Sequence, residues 1–195
     1  EAAPFIGMLS LTRLEEKPFR LYSGKDHLLV LSGIGKSRAA MATALLAQRF
    51  NPSILLNLGA AGAFSMNFSV GDIVHIDHVL EPDRPELFSG KERVLIPDIL
   101  PGFRNAALAT QDRAVVDPEE RKRFSKMADL ADMEGAGFLQ ACRIMGAGRA
   151  YLFKIVTDTP EHDSDSAIVE NVRSTAGILS VFYHDRIMPL LASME

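Results

Sequence analysis

Two runs of this 195-residue chain restrict its fold more than any other feature. Ser53 to Leu58 is mostly apolar, and Tyr151 to Val156 is apolar except for Lys154. Strands that read as continuous apolar runs, rather than alternating ones, belong to sheets covered on both faces. Covering a sheet on both faces takes helices, and helical patterns are present. Arg38 to about Phe50 is alanine-rich, and Gly135 to Met145 opens directly after Glu134. From about Asp165 onward Ile168, Val172, Leu179 and Phe182 recur at roughly helical spacing, with Gly177 a candidate break or kink. Strands alternating with helices predict an α/β fold with a largely parallel or mixed central sheet. No internal repeat and no linker divides residues 1–195, so one domain is expected.

The remaining strands read as shorter pieces. Phe19 to Ser23 and His27 to Ser32 flank a turn, Ile73 to Val79 alternates in character, and Glu92 to Ile96 and Arg104 to Gln111 are further candidates. Pro118 to Lys126 reads as a short helix. Its basic run Arg121-Lys122-Arg123, beside Asp117, Glu119 and Glu120, is read as a solvated face.

Composition removes several function classes. The apolar fraction of 47% and charged fraction of 24% are ordinary for a globular protein, and a net charge of −4 gives no electrostatic case for nucleic acid or an anionic membrane. No apolar run approaches membrane-spanning length and no signal peptide is visible. The single cysteine, Cys142, lies in an apparent helix and suits a reducing compartment, so a cytoplasmic location is expected. His75, Asp77 and His78 sit close together, but His75 and Asp77 are expected on one strand face and His78 on the other, with no further ligand at suitable spacing. No metal and no cofactor are expected.

Chemistry is most concentrated between Ala128 and Asp158. Glu134, in Ala-Asp-Met-Glu-Gly-Ala-Gly, and Asp158, in Lys-Ile-Val-Thr-Asp-Thr-Pro, each close an apolar run where the chain changes direction. Ligands of open α/β sheets bind at strand carboxyl ends, so two acids at two such ends are placed to meet one small molecule. Residue type alone favours a plainer reading, with Glu134 a helix-start acid and Asp158 a turn or cap residue. Ser32-Gly33-Ile34-Gly35-Lys36-Ser37, feeding a helix, suits either anion binding or a tight connection and is not a Walker A loop. Small residues in Gly59-Ala60-Ala61-Gly62-Ala63 allow close backbone approach to a ligand or another segment.

Five segments together resemble the nucleoside phosphorylase and nucleosidase superfamily, on the side of the methylthioadenosine/adenosylhomocysteine nucleosidases. They are Ser32-Gly33-Ile34-Gly35-Lys36, Asn57-Leu58-Gly59-Ala60-Ala61-Gly62, Val70-Gly71-Asp72-Ile73-Val74, Asp132-Met133-Glu134 and Ile155-Val156-Thr157-Asp158. Each is weak alone; their order and approximate spacing are specific. The resemblance implies a single α/β domain with a central, mixed, partly closed β-sheet flanked by helices, assembled as a homodimer or larger homo-oligomer. It implies cleavage of the N-glycosidic bond of a purine nucleoside, with adenine the favoured base.

The resemblance also distributes roles. Glu134 would accept hydrogen bonds from ribose hydroxyls, with Met133 packed under the sugar. Asp158 would donate a proton to purine N7 or stabilise a proton there, and Glu1 would orient the attacking water. Further substrate contacts would come from Ile34, Gly59, Ala60, Thr157, Lys154 and Val115. The departures are Ala60 where a serine is common, Lys154 where an arginine is often found, and Ala114 and Val115 in place of an aromatic cover over the base. The family's first strand, which would precede Glu1, is not in this sequence. Asn57 replaces the arginine that phosphorylases of this kind use for phosphate, which favours water as nucleophile. Phosphorolysis, with phosphate as a second partner, and a non-catalytic nucleoside-binding relative are the alternatives.

Overall fold

The computed structural model describes residues 2–161 and 165–194. Near its start a short helix, α1 (Ala3–Met8), precedes an antiparallel sheet of three strands, β1 (Thr12–Glu15), β2 (Arg20–Ser23) and β3 (Leu28–Leu31). The sequence reading did not include β1. Then come α2 (Lys36–Phe50), β4 (Ile54–Ala63), β5 (Ile73–Glu81), β6 (Arg93–Leu95), β7 (Asn105–Thr110), α3 (Pro118–Phe124), β8 (Leu130–Asp132), α4 (Gly135–Met145), β9 (Arg149–Asp158) and α5 (Asp165–Phe182). A π-helical segment, Tyr183–Ile187, leads into α6 (Met188–Ala192). Gly177 therefore lies inside α5, and the irregularity falls one and a half turns later, at the π-helical segment.

The main sheet has the order β6-β5-β7-β8-β4-β9, and an additional β5–β9 pairing closes five of these strands into a barrel, with β6 on an outer edge of β5. β5, β7 and β8 run parallel to one another, β4 runs parallel to β9, and the two groups are antiparallel. This is the mixed, partly closed sheet that the resemblance implies. β9 pairs with β4 from Ile54↔Arg149 to Gly62↔Asp158, and every residue from Ala150 to Asp158 is buried. Its side chains alternate between two cores: Leu152 and Val156 join Phe138, Leu139 and Cys142 of α4, while Tyr151, Phe153 and Ile155 join Leu179 of α5 and Tyr183 and Ile187 of the π-helical segment. An unbroken apolar run is what two opposed cores require of one strand. Burial pushes the Cys142 thiol up to about 12, which suits a packing role.

The helices follow their local chemistry. α2 ends at Asn51 in the left-handed conformation (φ 44°), directly before Pro52, and α4 ends at Gly146 (φ 58°). β4 does not stop at the glycine and alanine run. It continues through Gly59 to Ala63, because those residues keep strand pairing with β9. Small side chains there serve what lies across the strand.

Candidate active site

The site is organised by the window Gly59–Gly62 of β4. On one side Gly59 pairs with Lys154, Ala60 with Ile155, Ala61 with Val156 and Gly62 with Asp158, with a register slip that leaves Thr157 unmatched. On the other side β8 pairs only through Ala131 with Gly62 and Leu130 with Ala63. β4 and β8 run in opposite directions, so the chain leaving β8 at Asp132 travels back along β4 toward Gly59. Asp132 then meets Lys154, with Nζ 2.8 Å from Oδ2 and both side chains at most 1% exposed. In an open sheet two acids at strand carboxyl ends meet along one edge. In the closed barrel β8 and β9 are antiparallel, and their ends approach because β8 is only three residues long. The window itself spans about 10 Å at ordinary strand rise.

At one end of the window stands Asp158. Its carboxylate lies over Gly62, where an added Cβ would fall 2.5 Å from Oδ2 and 2.8 Å from Oδ1. No other residue type fits at 62 with the aspartate in place. The Thr157 hydroxyl is 3.3 Å from Asp158 Oδ1 and 3.4 Å from the Ala61 carbonyl. At the other end stands Glu134. Its side chain makes no cap bond to α4; Asp132 takes that part, accepting from the Gly135 N–H at 2.8 Å and from the Thr110 hydroxyl at 2.5 Å. Glu134 Oε1 instead accepts from the Gly35 N–H at 3.0 Å. Gly35 (φ 107°) holds a backbone conformation that L side chains rarely adopt, which aims this N–H at the acid. Burial raises the Glu134 pKa above the ordinary glutamate range. Lys154 pulls it down, Asp132 adds to the rise, and the N–H groups of Gly35 and Met133 lower it.

The loop carrying Gly35 is itself anchored. The Lys36 N–H donates to Asp112 Oδ1 at 2.9 Å, and its ammonium lies 2.7 Å from Asp83 Oδ1 and 3.5 Å from the buried Glu81, which also accepts from Gln140 Nε2 at 2.7 Å. Residue-type reasoning did not find this network, because its members come from four separate segments.

Arg121 is buried against Asp158. The basic run was read as a solvated face, but only Lys122 and Arg123 are exposed. Arg121 is buried and its Nη2 lies 2.6 Å from Asp158 Oδ2. It also donates from Nε to the Val115 carbonyl at 3.0 Å and from Nη1 to the Ala63 carbonyl at 3.2 Å. Asp117 starts α3 by accepting from the Glu120 N–H at 2.8 Å, and that phase turns Arg121 and Phe124, three residues apart, toward the core. The i, i+3 pairing with Phe124 was the available signal.

Of the other expected contacts, Val115 is buried with Phe64 and Phe124, Met133 and Ala60 are half-buried, and Ile34 is 72% exposed beside the site. Glu1 lies outside the described residues. Asn57 Oδ1 is buried without a hydrogen-bond partner among the described residues. A register shift at Ile76/His78 breaks the expected alternation of β5: His75 is fully buried, whereas Asp77 pairs with its half-exposed neighbour His78 at 2.6 Å. Among the described residues no group of three or more His, Cys, Asp or Glu is arranged to hold a metal ion.

Comparison with known proteins gives the family and the fold. A 5'-methylthioadenosine/S-adenosylhomocysteine nucleosidase of Oceanobacillus iheyensis is 32% identical over 164 residues, covering 69% of this chain and 71% of that protein. The enzyme of the same name from Shewanella oneidensis is 30% identical over 195 residues, covering 87% of this chain and 79% of its own length. The structure of Arabidopsis thaliana 5'-methylthioadenosine nucleosidase in apo form superposes with a TM-score of 0.83 over 97% of this chain and 91% of that one, at 19% identity, which shows a shared fold. Residues 15–126, more than half of the chain, match the family model described as the phosphorylase superfamily. With its closed mixed barrel and an acid at each end of one small-residue window, the chain belongs to the phosphorylase superfamily.

Proposed function

We infer that the chain hydrolyses the N-glycosidic bond of a purine nucleoside, releasing free base and a ribose derivative, with adenine the favoured base. The observation that carries this reading is the placement of Glu134 and Asp158 at opposite ends of the Gly59–Gly62 window, on the scale of one nucleoside. In this arrangement the ribose lies toward Glu134, whose carboxyl group accepts from sugar hydroxyls, with Met133 beneath it. The base lies toward Asp158, Thr157 and Val115. As the bond from C1′ to the base breaks, the sugar gains positive charge, and a nearby carboxylate binds that state more strongly than the ground state. A proton held at N7 improves the leaving base. Glu1 is the assigned group that orients the water.

Water is favoured over phosphate by the state of the cations. Asn57 offers no charge, and Lys154, the cation nearest the window, is engaged by Asp132 at 2.8 Å. A phosphate dianion would need an uncommitted cation at this point. We assign the chain to the cytoplasm, on its single buried thiol; among the described residues no helix is long and apolar enough to cross a membrane. A second copy of the chain is the proposed protein partner, and Leu87 and Phe88 on the loop after β5 are 84% and 98% exposed.

The test is chromatographic detection of free base from adenosine, methylthioadenosine, adenosylhomocysteine and inosine, with and without phosphate. Base release without phosphate is expected. Asp158→Asn is expected to lower turnover by about 10²-fold or more with a much smaller change in KM. Glu134→Gln is expected to impair ribonucleosides more than 2′-deoxynucleosides. Release only in the presence of phosphate, or undiminished turnover in the Asp158 variant, would overturn the reading.

A further inference from the structure

We propose that Lys36 is a positioning residue for the ribose end of the site: its ammonium, gripped by Asp83 and Glu81, holds the Gly35 N–H against Glu134 and so sets how well the protein tells a ribonucleoside from a 2′-deoxynucleoside. This rests on the reading of Glu134 as the acid at the sugar hydroxyls. The segment that carries Gly35 has little of its own to hold it. Gly33 (φ 77°) and Gly35 (φ 107°) both adopt backbone conformations suited to glycine, and Ile34 between them is mostly exposed. Glycine has more freedom to lose on ordering than any other residue, so polar contacts must fix these peptides. At the start of the segment the Ser32 carbonyl accepts from Arg38 Nε at 2.9 Å. At its end the contacts converge on Lys36.

Three observations carry the argument. The backbone of Lys36 is caught on both sides. Its N–H donates to Asp112 Oδ1 at 2.9 Å, and its carbonyl oxygen packs so closely on α4 that a Cβ on Gly137 would fall 2.2 Å away. Its half-buried ammonium lies 2.7 and 2.8 Å from the two oxygens of Asp83 and 3.5 Å from Glu81. The contacts then close on themselves, because the Asp112 N–H donates to Asp83 Oδ2 at 3.2 Å. Glu81 also accepts from Gln140 Nε2 at 2.7 Å, on the helix that Glu134 precedes. Lys36 therefore joins the start of α2 to the end of β5, to Asp112 and to α4, and Gly35 is its immediate neighbour.

Charge makes this tie specific to an ammonium. Glu81, Asp83, Asp112 and Glu134 all surround the segment. Arg84 donates to Glu81 at 2.7 Å, and Lys36 is the cation that reaches Asp83. Without it Asp83 and Asp112 face one another as like charges and separate. Asp112 then leaves the Lys36 N–H, the Gly35 peptide loses its orientation, and Glu134 loses one of the N–H groups that fix its carboxylate. Lys36 acts on the sugar only through Gly35 and Glu134.

The experiment is calorimetric binding of 9-deazaadenosine and its 2′-deoxy counterpart. Both carry a carbon–carbon bond to the base that is not hydrolysed, so affinity is read without turnover. The ratio of the two affinities does not change with the fraction of protein that is folded, so a merely structural role would leave it unmoved. The native protein is expected to bind the ribonucleoside about tenfold or more tightly, as a hydrogen bond to a charged group implies. Lys36→Met is expected to reduce that preference about fivefold, Asp83→Ala about threefold, and the double variant no further than Lys36→Met alone, because both changes cut one tie. A Lys36→Met variant that folds and keeps the full preference overturns the proposal, and so does a double variant whose effects multiply. Asp83 is an exposed residue just after β5, so Asp83→Ala answers the question even where Lys36→Met does not fold: full preference there also overturns the proposal. Glu134→Gln is read separately. If the native protein shows no preference, or Glu134→Gln keeps it, the underlying reading of Glu134 fails; if Glu134→Gln loses it while the Lys36 and Asp83 variants keep it, only the present proposal fails.

Discussion

His75 is clamped between two backbone groups. Its Nδ1 lies 2.8 Å from the Leu152 carbonyl, and its Nε2 lies 2.9 Å from the Leu100 N–H. A carbonyl accepts and an N–H donates, so the ring is neutral with its hydrogen on Nδ1. It stacks on Phe153 with ring centroids 4.3 Å apart and is fully buried. Burial lowers its pKa below the ordinary 6.5, against the smaller opposing pulls of the Leu152 carbonyl and Asp77. The folded state therefore takes up a proton less readily than the unfolded chain. The stability linked to this ring is complete above about pH 6.5 and is lost as pH falls below that value. Thermal denaturation at pH 7 and pH 5 is expected to show a clear drop in Tm. His75→Phe is expected to cost about 1–3 kcal/mol at pH 7, because it strands the Leu100 N–H, while flattening the change between the two pH values. An equally steep change in the variant would remove His75 from the acid response. The same residue marks a limit of sequence reading. Faces along β5 were assigned by strict alternation, and the register shift at Ile76/His78 cannot be seen in residue types.

At the scale of elements, α4 and β9 were the most legible, since Gly135 to Met145 is framed by a strand end and a left-handed Gly146, and β9 by its unbroken apolar run. β4 and α3 were less so. The small residues that end β4 suit close approach to a ligand or another segment without telling which, and at Gly62 the group they make room for is Asp158. Arg121 read as surface because charge runs usually are, and the carboxylate that makes its burial tolerable is 37 residues away. Glu134 and Asp158 were found by resemblance and by position; the arginine that holds one of them was not, since no local pattern links α3 to β9. One consequence of element packing is testable at Gly137. A Cβ there would lie 2.2 Å from the Lys36 carbonyl oxygen at the start of α2. That neighbour is backbone, so Gly137→Ala must push α4 off α2. Overpacking of this kind costs about 1–3 kcal/mol. The displacement acts on both partners of the Glu134–Gly35 bond, one at the start of each helix. Urea denaturation is expected to show the destabilisation, and KM for ribonucleosides is expected to rise more than kcat falls. Unchanged KM in a destabilised variant would mean that α4 shifts without carrying Glu134.

At the scale of the whole molecule, the barrel brings the candidate site together from β4, β8 and β9. Among the described residues, closing β5 onto β9 leaves β6 and the separate β1-β2-β3 sheet with open edges, and β4 is held between β8 and β9, which run in opposite directions. The barrel does not explain the loop after β5, where Leu87 and Phe88 stand almost entirely in solvent. Burying one such side chain contributes roughly 1.5–3 kcal/mol. A symmetric pair of copies would bury four of them. Association costs on the order of 4 kcal/mol or more in lost freedom, so these four side chains are of the size needed to decide between monomer and dimer. A net charge of −4 is a weak repulsion at physiological ionic strength, where the Debye length is about 8 Å. Analytical ultracentrifugation is expected to give a species of at least twice the 21.3 kDa chain mass. Replacing both residues by serine is expected to shift that species toward the single-chain mass with little change in Tm of the isolated chain, since neither side chain belongs to its core. A native protein that sediments as a monomer across micromolar concentrations would leave the exposed pair without a partner of its own kind and sink the homo-oligomer.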